Sequence, residues 1–273
     1  MPVKNGNVFE KWYIKVHKLL PTKAVWVICT CCTGINGFMM RFFRMFLLLL
    51  LSLMGCTRQD DPDPTVTPPP PVSEVVDILA LGDSYTKGQG VDPGGNFPNQ
   101  LADSLRQRGI SVSGVRSIAQ TGWRTDQLLG NINASADIQD SLFSLVTLCI
   151  GVNNQFQNKD TAVYRAEFEL ILQKALGFAG NRTDRVVVLS IPDWAYTPYG
   201  QGSSNPSNIS KAIDVFNAIN LDISTRYKVL YVNVTGISRQ GVAQPGLVAT
   251  DQLHPSAKQY TLWIREMLPR IPL

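Results

Sequence analysis

Ser84 stands at the end of an apolar run, Val75-Val76-Asp77-Ile78-Leu79-Ala80-Leu81, directly after Gly82-Asp83. A serine hydroxyl is a poor nucleophile at neutral pH unless an imidazole takes its proton and a carboxylate holds that imidazole in the right tautomer. The chain has only two histidines, His17 and His254. His254 closes the stretch Asp251-Gln252-Leu253-His254, in which a carboxylate precedes the imidazole by three residues. At a helix entrance that spacing places both on one side of a single turn. Acyl transfer also needs donors aimed at a developing oxyanion. Gly122, in Gln120-Thr121-Gly122-Trp123, can bring a backbone N–H close to a ligand, and Asn153, in Gly151-Val152-Asn153-Asn154, supplies an amide N–H₂. Each position also has a plainer reading. Ser84 or Asp251 can serve as a helix cap, His254 can lie on the surface, Gly122 can only turn the chain, and Asn153 can only hold a loop.

The elements that must position these residues alternate between strand and helix. The apolar patterning predicts strands over 75–81, 112–119, 142–150, 185–191 and 229–234. Helices are predicted over 97–108, 125–133, 161–178, 209–227 and 256–268, with Leu170, Ile171 and Leu176 on the buried side of the third and Pro255 at the first turn of the last. Such alternation argues for an α/β fold with a parallel sheet covered on both faces. Ser84, Gly122 and Asn153 each follow a predicted strand, and in a parallel sheet those positions gather along one edge.

In type and order these blocks resemble the SGNH hydrolases, also called GDSL-type esterases and lipases: Gly82-Asp83-Ser84-Tyr85, then Gly122, then Gly151-Val152-Asn153-Asn154, then Asp251-Gln252-Leu253-His254. The resemblance covers the chain from about Val75 to its C-terminus. It implies a flavodoxin-like three-layer α/β/α sandwich and no cofactor. It makes Ser84 the nucleophile, His254 the base and then acid, and Asp251 its orienting partner. The Ser84 N–H, the Gly122 N–H and the Asn153 side chain would form the oxyanion hole. Two positions depart from the family pattern. Tyr85 stands where Leu is common, and Asn154 stands where Asp is usual and is expected to support its loop.

Other chemistries fit less well. Thr86-Lys87-Gly88-Gln89-Gly90 matches neither phosphate-loop nor dinucleotide spacing. One histidine among scattered carboxylates makes no metal-ligand cluster. The net charge of +4 comes from the region before Cys56, which holds seven Lys/Arg and one acidic residue; from Cys56 onward 18 Lys/Arg face 20 Asp/Glu, so no nucleic-acid partner is expected. Cys149 lies in an apolar run and reads as a buried free thiol.

The N-terminal quarter has its own organisation. Residues 40–55 carry a short basic segment and an apolar run, Met45–Met54, that is too short to span a bilayer and has the form of a secretory signal. Leu53-Met54-Gly55-Cys56 resembles a bacterial lipobox, with Cys56 as the lipidated residue. Because that signal starts some forty residues in, residues 1–39 read as an extension ahead of the true translation start. Residues 56–73 are a Pro- and Asp-rich tether, and 74–273 form one domain. The expectation is a lipid-anchored bacterial envelope protein, facing outward from the outer membrane. It would be a serine esterase acting on small acyl groups, acetyl esters of carbohydrates among them, and its partners a small-molecule or glycan ester and the membrane. A lysophospholipase or thioesterase, or a glycan-binding module without turnover, is the alternative. Trp194, Tyr196 and Tyr199 lie in a predicted loop over 193–207, where they can floor a sugar site or pack beneath the loop; packing is expected for at least half of them.

Overall fold

The computed structural model describes residues 75–273. The extension, the signal segment, Cys56 and the tether lie outside the described residues. Five parallel strands form one sheet in the order β2-β1-β3-β4-β5: β1 Val76–Gly82, β2 Val112–Ala119, β3 Leu145–Cys149, β4 Val186–Leu189 and β5 Leu230–Val232. β1 and β3 are buried along both faces except at Asp77, as their unbroken apolar character requires in the middle of a covered sheet. The chain runs from β1 to β2 on one side and then to β3 on the other. That reversal opens a crevice beyond the C-terminal ends of β1 and β3, the place where open α/β sheets bind ligands.

Two layers of helices cover the sheet. α2, Phe97–Gln107, packs against α9, Ala257–Met267, while α3, Thr125–Ala134, packs on α5, Thr161–Phe178, and α5 on α7, Pro206–Arg226. Short helices fill the loops: α1 Ser84–Lys87, α4 Val152–Phe156, α6 Pro198–Gln201 and α8 Thr235–Ser238. The arrangement is the α/β/α sandwich expected. Phe97, Leu101 and Leu105 recur every fourth residue and are all buried, and Phe97 meets the rings of Tyr260 and Trp263 across the α2–α9 contact. Cys149 is a buried free thiol at the end of β3.

Several elements differ from expectation for identifiable reasons. The strand expected over 142–150 begins only at Leu145. Leu142 is 71% exposed, and Phe143 spends its N–H on the Phe178 carbonyl at the end of α5. Leu170 is 49% exposed rather than buried, because the inward set of α5 is Tyr164, Phe168, Ile171, Leu172 and Ala175. Residue 170 stands two positions from 168, so it is about 200° around the helix. The predicted loop over 193–207 holds a 3₁₀ turn at Trp194–Tyr196, then α6, then the first turn of α7. α7 starts early because the Asn205 side chain accepts from the Asn208 N–H and Pro206 occupies the first helical position. Pro255 is not in the last helix: Ser256 caps α9, and Pro255 pairs with Val248 in an isolated antiparallel bridge. Asp251 and His254 therefore sit on the loop ahead of the helix.

Candidate active site

Register brings the predicted blocks level. Gly82 pairs with Ala119 on β2 and with Cys149 on β3, so the chain leaves all three strands at the same edge. Asp83-Ser84 leaves β1 there, Gln120–Trp123 leaves β2, and Ile150–Asn153 leaves β3. Gly82 tolerates no side chain, because a Cβ there would collide with Thr86 Oγ1 and the Cys149 carbonyl. The helix cap is Asp83, whose Oδ1 accepts the Tyr85 N–H at 3.0 Å. Ser84 is thus released from the capping role that its sequence position also allowed. It is the first residue of α1, is 4% exposed, and its Oγ lies 3.0 Å from His254 Nε2.

On the other side of the imidazole, His254 Nδ1 lies 2.7 Å from Asp251 Oδ2. A carboxylate only accepts, so Nδ1 carries the proton and Nε2 is left to accept from the Ser84 hydroxyl. Asp251 Oδ1 accepts the backbone N–H groups of Leu253 at 3.0 Å and His254 at 2.9 Å, which folds the four residues into a closed turn. Gln252 in that turn has a left-handed φ of 67°, and its carbonyl accepts the Tyr199 N–H at 3.0 Å. The Ala249 N–H bonds the His254 carbonyl and the Ser256 N–H bonds the Leu247 carbonyl, so the loop is clamped on both sides of the histidine. Tyr85 presses the imidazole edge to face, with ring centroids 5.7 Å apart, and its carbonyl accepts the Tyr260 hydroxyl. The tyrosine that departs from the family pattern is therefore a wall of the histidine's pocket.

Two carboxyls near Ser84 are displaced from their ordinary values in opposite senses. Burial works to raise Asp251, but the N–H groups of His254 and Leu253 and the His254 ring outweigh it, and the carboxyl ends below its ordinary range. Asp83 is fully buried, and desolvation pushes it up to about 7 against the opposing N–H groups of Tyr85 and Gly151.

Asn153, the second residue of α4, reaches back across the crevice and donates one Nδ2 hydrogen to the Trp123 carbonyl at 3.0 Å. An amide nitrogen has a second hydrogen, and Asn153 lines the same cavity as Ser84 and His254. Gly151 ahead of it has φ 126°, and a Cβ there would collide with the Tyr164 hydroxyl. Gly122 has φ 84° and is exposed in the loop after β2, outside the set of residues that line the cavity. Asn154 supports the loop as expected, accepting the Thr125 N–H at 3.0 Å.

The cavity over Ser84 measures about 100 Å³. Its remaining walls are largely aromatic and apolar, including Phe156, Trp194, Tyr199 and Leu253. Trp194 is buried and donates its Nε1–H to Gln155 Oε1 at 2.8 Å, while Tyr199 and Phe156 are each 52% exposed. Tyr196 packs against the core, away from this cavity. Phe156 is a wall that the motifs do not announce, although its position three residues after Asn153 on a helix places it on the same side. Among the described residues no cluster of His, Cys, Asp and Glu is placed to hold a metal ion.

A hydroxyl, an imidazole and a carboxylate in line at the C-terminal edge of a parallel sheet form an arrangement suited to ester hydrolysis. The chain belongs to the GDSL-like lipase/acylhydrolase family, whose sequence model matches residues 80–262, and it is an ester-hydrolysing enzyme. Similar solved structures include TesA, 18% identical over 72% of this chain and 98% of that one, with a TM-score of 0.55. A member of the lipolytic protein G-D-S-L family from Veillonella parvula is 17% identical over 71% and 96%, with a TM-score of 0.55. The acetylxylan esterase Axe2 from Geobacillus stearothermophilus is 16% identical over 72% and 94%, with a TM-score of 0.54. At these identities the likeness shows the fold. No curated protein matches the chain.

Proposed function

We propose that this enzyme removes small acyl groups, acetyl among them, from a carbohydrate ester through an acyl-Ser84 intermediate. The observation that carries the reading is the continuous line Ser84 Oγ to His254 Nε2 to Asp251, opening into a small cavity. In the first half-reaction Ser84 Oγ attacks the ester carbonyl while His254 Nε2 takes the hydroxyl proton. The Asp251 carboxylate stabilises the imidazolium. The oxyanion is met by the Ser84 N–H and the second Asn153 amide hydrogen, while Gly122 stands outside the cavity and is given no part in the step. Collapse breaks the bond to the alcohol, which leaves with the proton from His254. Water then attacks the acyl-serine by the same route in reverse, giving the acid and restoring Ser84.

Two features favour a small acyl group on a ring-shaped alcohol. A cavity of about 100 Å³ is far below the ~300–1,000 Å³ that holds a drug-sized ligand, and a long acyl chain needs more room. The half-exposed rings of Phe156 and Tyr199 flank its mouth, where a sugar face can stack. The lipobox-like Leu53–Cys56 and the proline-rich tether support a lipid-anchored position in a bacterial envelope. The test is turnover of p-nitrophenyl esters from acetate to long chains by the enzyme and its Ser84→Ala variant. Serine-dependent turnover highest on acetate supports the proposal. A long-chain preference transfers it to lysophospholipids or thioesters, and a folded enzyme with no serine-dependent turnover leaves a glycan-binding module.

A further inference from the structure

Asn153 of α4 holds the loop between β2 and α3, Asn154 holds Thr125 at the start of α3, and the second contact leads to a carboxylate on another helix. Asn154 accepts the Thr125 N–H at 3.0 Å and donates its own Nδ2–H to Thr125 Oγ1 at 2.7 Å. Thr125 Oγ1 in turn donates to Glu167 Oε2 on α5 at 2.5 Å. Thr125 and Asn154 are 0% and 2% exposed, so the bonds between them are shut off from water, while Glu167 at the end of the chain of bonds is half-buried. A hydroxyl has a single proton, and here Glu167 takes it. The chain of bonds therefore has one direction, from amide to hydroxyl to carboxylate. A second tie runs beside it, from Arg124 Nη1 to Gln157 Oε1 at the end of α4.

We propose that Glu167, remote from the nucleophile, is a positioning residue for ester hydrolysis. By taking the Thr125 proton it leaves Thr125 Oγ1 free to accept from Asn154. That locks the start of α4 against the loop carrying Trp123. The Trp123 carbonyl then binds one hydrogen of Asn153 and fixes the direction of the other, which serves the oxyanion. The inference rests on the reading of Asn153 as an oxyanion donor.

Proton direction supplies the test. Asn154→Asp keeps the acceptor for the Thr125 N–H but sets its second carboxylate oxygen and Glu167 around one hydroxyl proton, so one carboxylate oxygen is left without a donor and the joint between Thr125 and α4 loosens. Glu167→Gln alone keeps an acceptor in its amide oxygen. The double variant Asn154→Asp/Glu167→Gln reverses the chain: the amide introduced on α5 donates to Thr125, and Thr125 donates to the carboxylate introduced on α4. Kinetics on p-nitrophenyl acetate and thermal midpoints are measured for all three, with Glu167→Leu as the variant that removes the acceptor without adding charge.

Asn154→Asp is expected to lower kcat roughly tenfold to a hundredfold with KM little changed, the size of loss that small misplacements of a reacting array produce. The double variant is expected to recover most of that loss, Glu167→Gln to stay close to the natural enzyme, and Glu167→Leu to lose kcat. The inference is overturned if the double variant is no better than Asn154→Asp while both melt near the natural enzyme. It is also overturned if folded Glu167→Leu keeps full kcat, a measurement that stands even when Asn154→Asp does not fold. Ser84→Ala run alongside separates the two levels: activity surviving in that variant counts against the site itself rather than against Glu167.

Discussion

Replacing Asp83 with asparagine should stabilise the folded enzyme by several kcal/mol at pH 8 and by only about 1 kcal/mol near pH 4.5. The Asp83 side chain is 0% exposed; its Oδ1 caps α1 through the Tyr85 N–H, and its Oδ2 makes no well-formed hydrogen bond among the described residues, the Gly151 N–H offsetting only part of the cost of burial. Burial therefore raises the carboxyl from 3.8 to about 7. Between about pH 4 and pH 7 the folded state keeps a proton that the unfolded chain has released. Unfolding free energy then falls as pH rises through that window and levels off above it. At about 1.4 kcal/mol per unit, a rise from 3.8 to about 7 makes the fold about 4 kcal/mol less stable at pH 8 than at pH 4 through this one group. Asparagine keeps the acceptor for Tyr85 and carries no charge. Its unpartnered amide costs about 1–3 kcal/mol at every pH, much as the unpartnered protonated oxygen of Asp83 does in acid. The variant should thus gain several kcal/mol at pH 8, or roughly 10 °C in melting temperature for a domain of this size. Urea unfolding of both proteins at pH 4.5, 6, 7 and 8 reads the difference. Two parallel stability curves across that range would show that Asp83 does not titrate as its burial requires.

Other variants probe the site directly. Asp251→Asn keeps an acceptor for the Leu253 and His254 N–H groups but turns an amide N–H₂ toward His254 Nδ1, so the imidazole takes the wrong tautomer and kcat should fall by roughly 10²–10⁴. Because the folded Asp251 carboxyl lies below its ordinary value, its stabilisation is complete above that value and is lost as pH falls below 3.8; acid titration of stability should bring the natural enzyme and Asp251→Asn together there. Tyr199→Ala removes a half-exposed ring at the cavity mouth and should raise KM for an acetylated sugar by up to roughly tenfold, with p-nitrophenyl acetate kinetics and melting temperature little changed. An unchanged KM for the sugar ester would take this ring out of the substrate account.

Most of the architecture is legible in the chain because its signals are local. β1 and β3 are unbroken apolar runs, and the helices α2 and α5 carry their own caps in Asn96 and Asp160. Once the sheet is parallel, register alone brings Ser84 and Asn153 to one edge. The features that escape a sequence reading depend on partners distant along the chain. The Asp251–His254 turn precedes its helix because Pro255 pairs with Val248, a bridge that nothing near Pro255 announces. Trp194 is fixed by Gln155, and Thr125 by Glu167, across 39 and 42 residues. Leu170 is misplaced when it is credited to the core together with Ile171 and Leu176, whereas the helical period turns only one face inward and leaves Leu170 off it.

The central claim is that Ser84 is the nucleophile that His254 activates. It is tested most directly by covalent labelling with a small serine-directed fluorophosphonate, followed by mass mapping of the modified peptide. The predicted result is one label per chain, on Ser84, with loss of esterase activity in step with labelling, and sharply slower labelling in His254→Ala. Stoichiometric inactivation with the label on another residue, or undiminished labelling of Ser84 in folded His254→Ala, would contradict it.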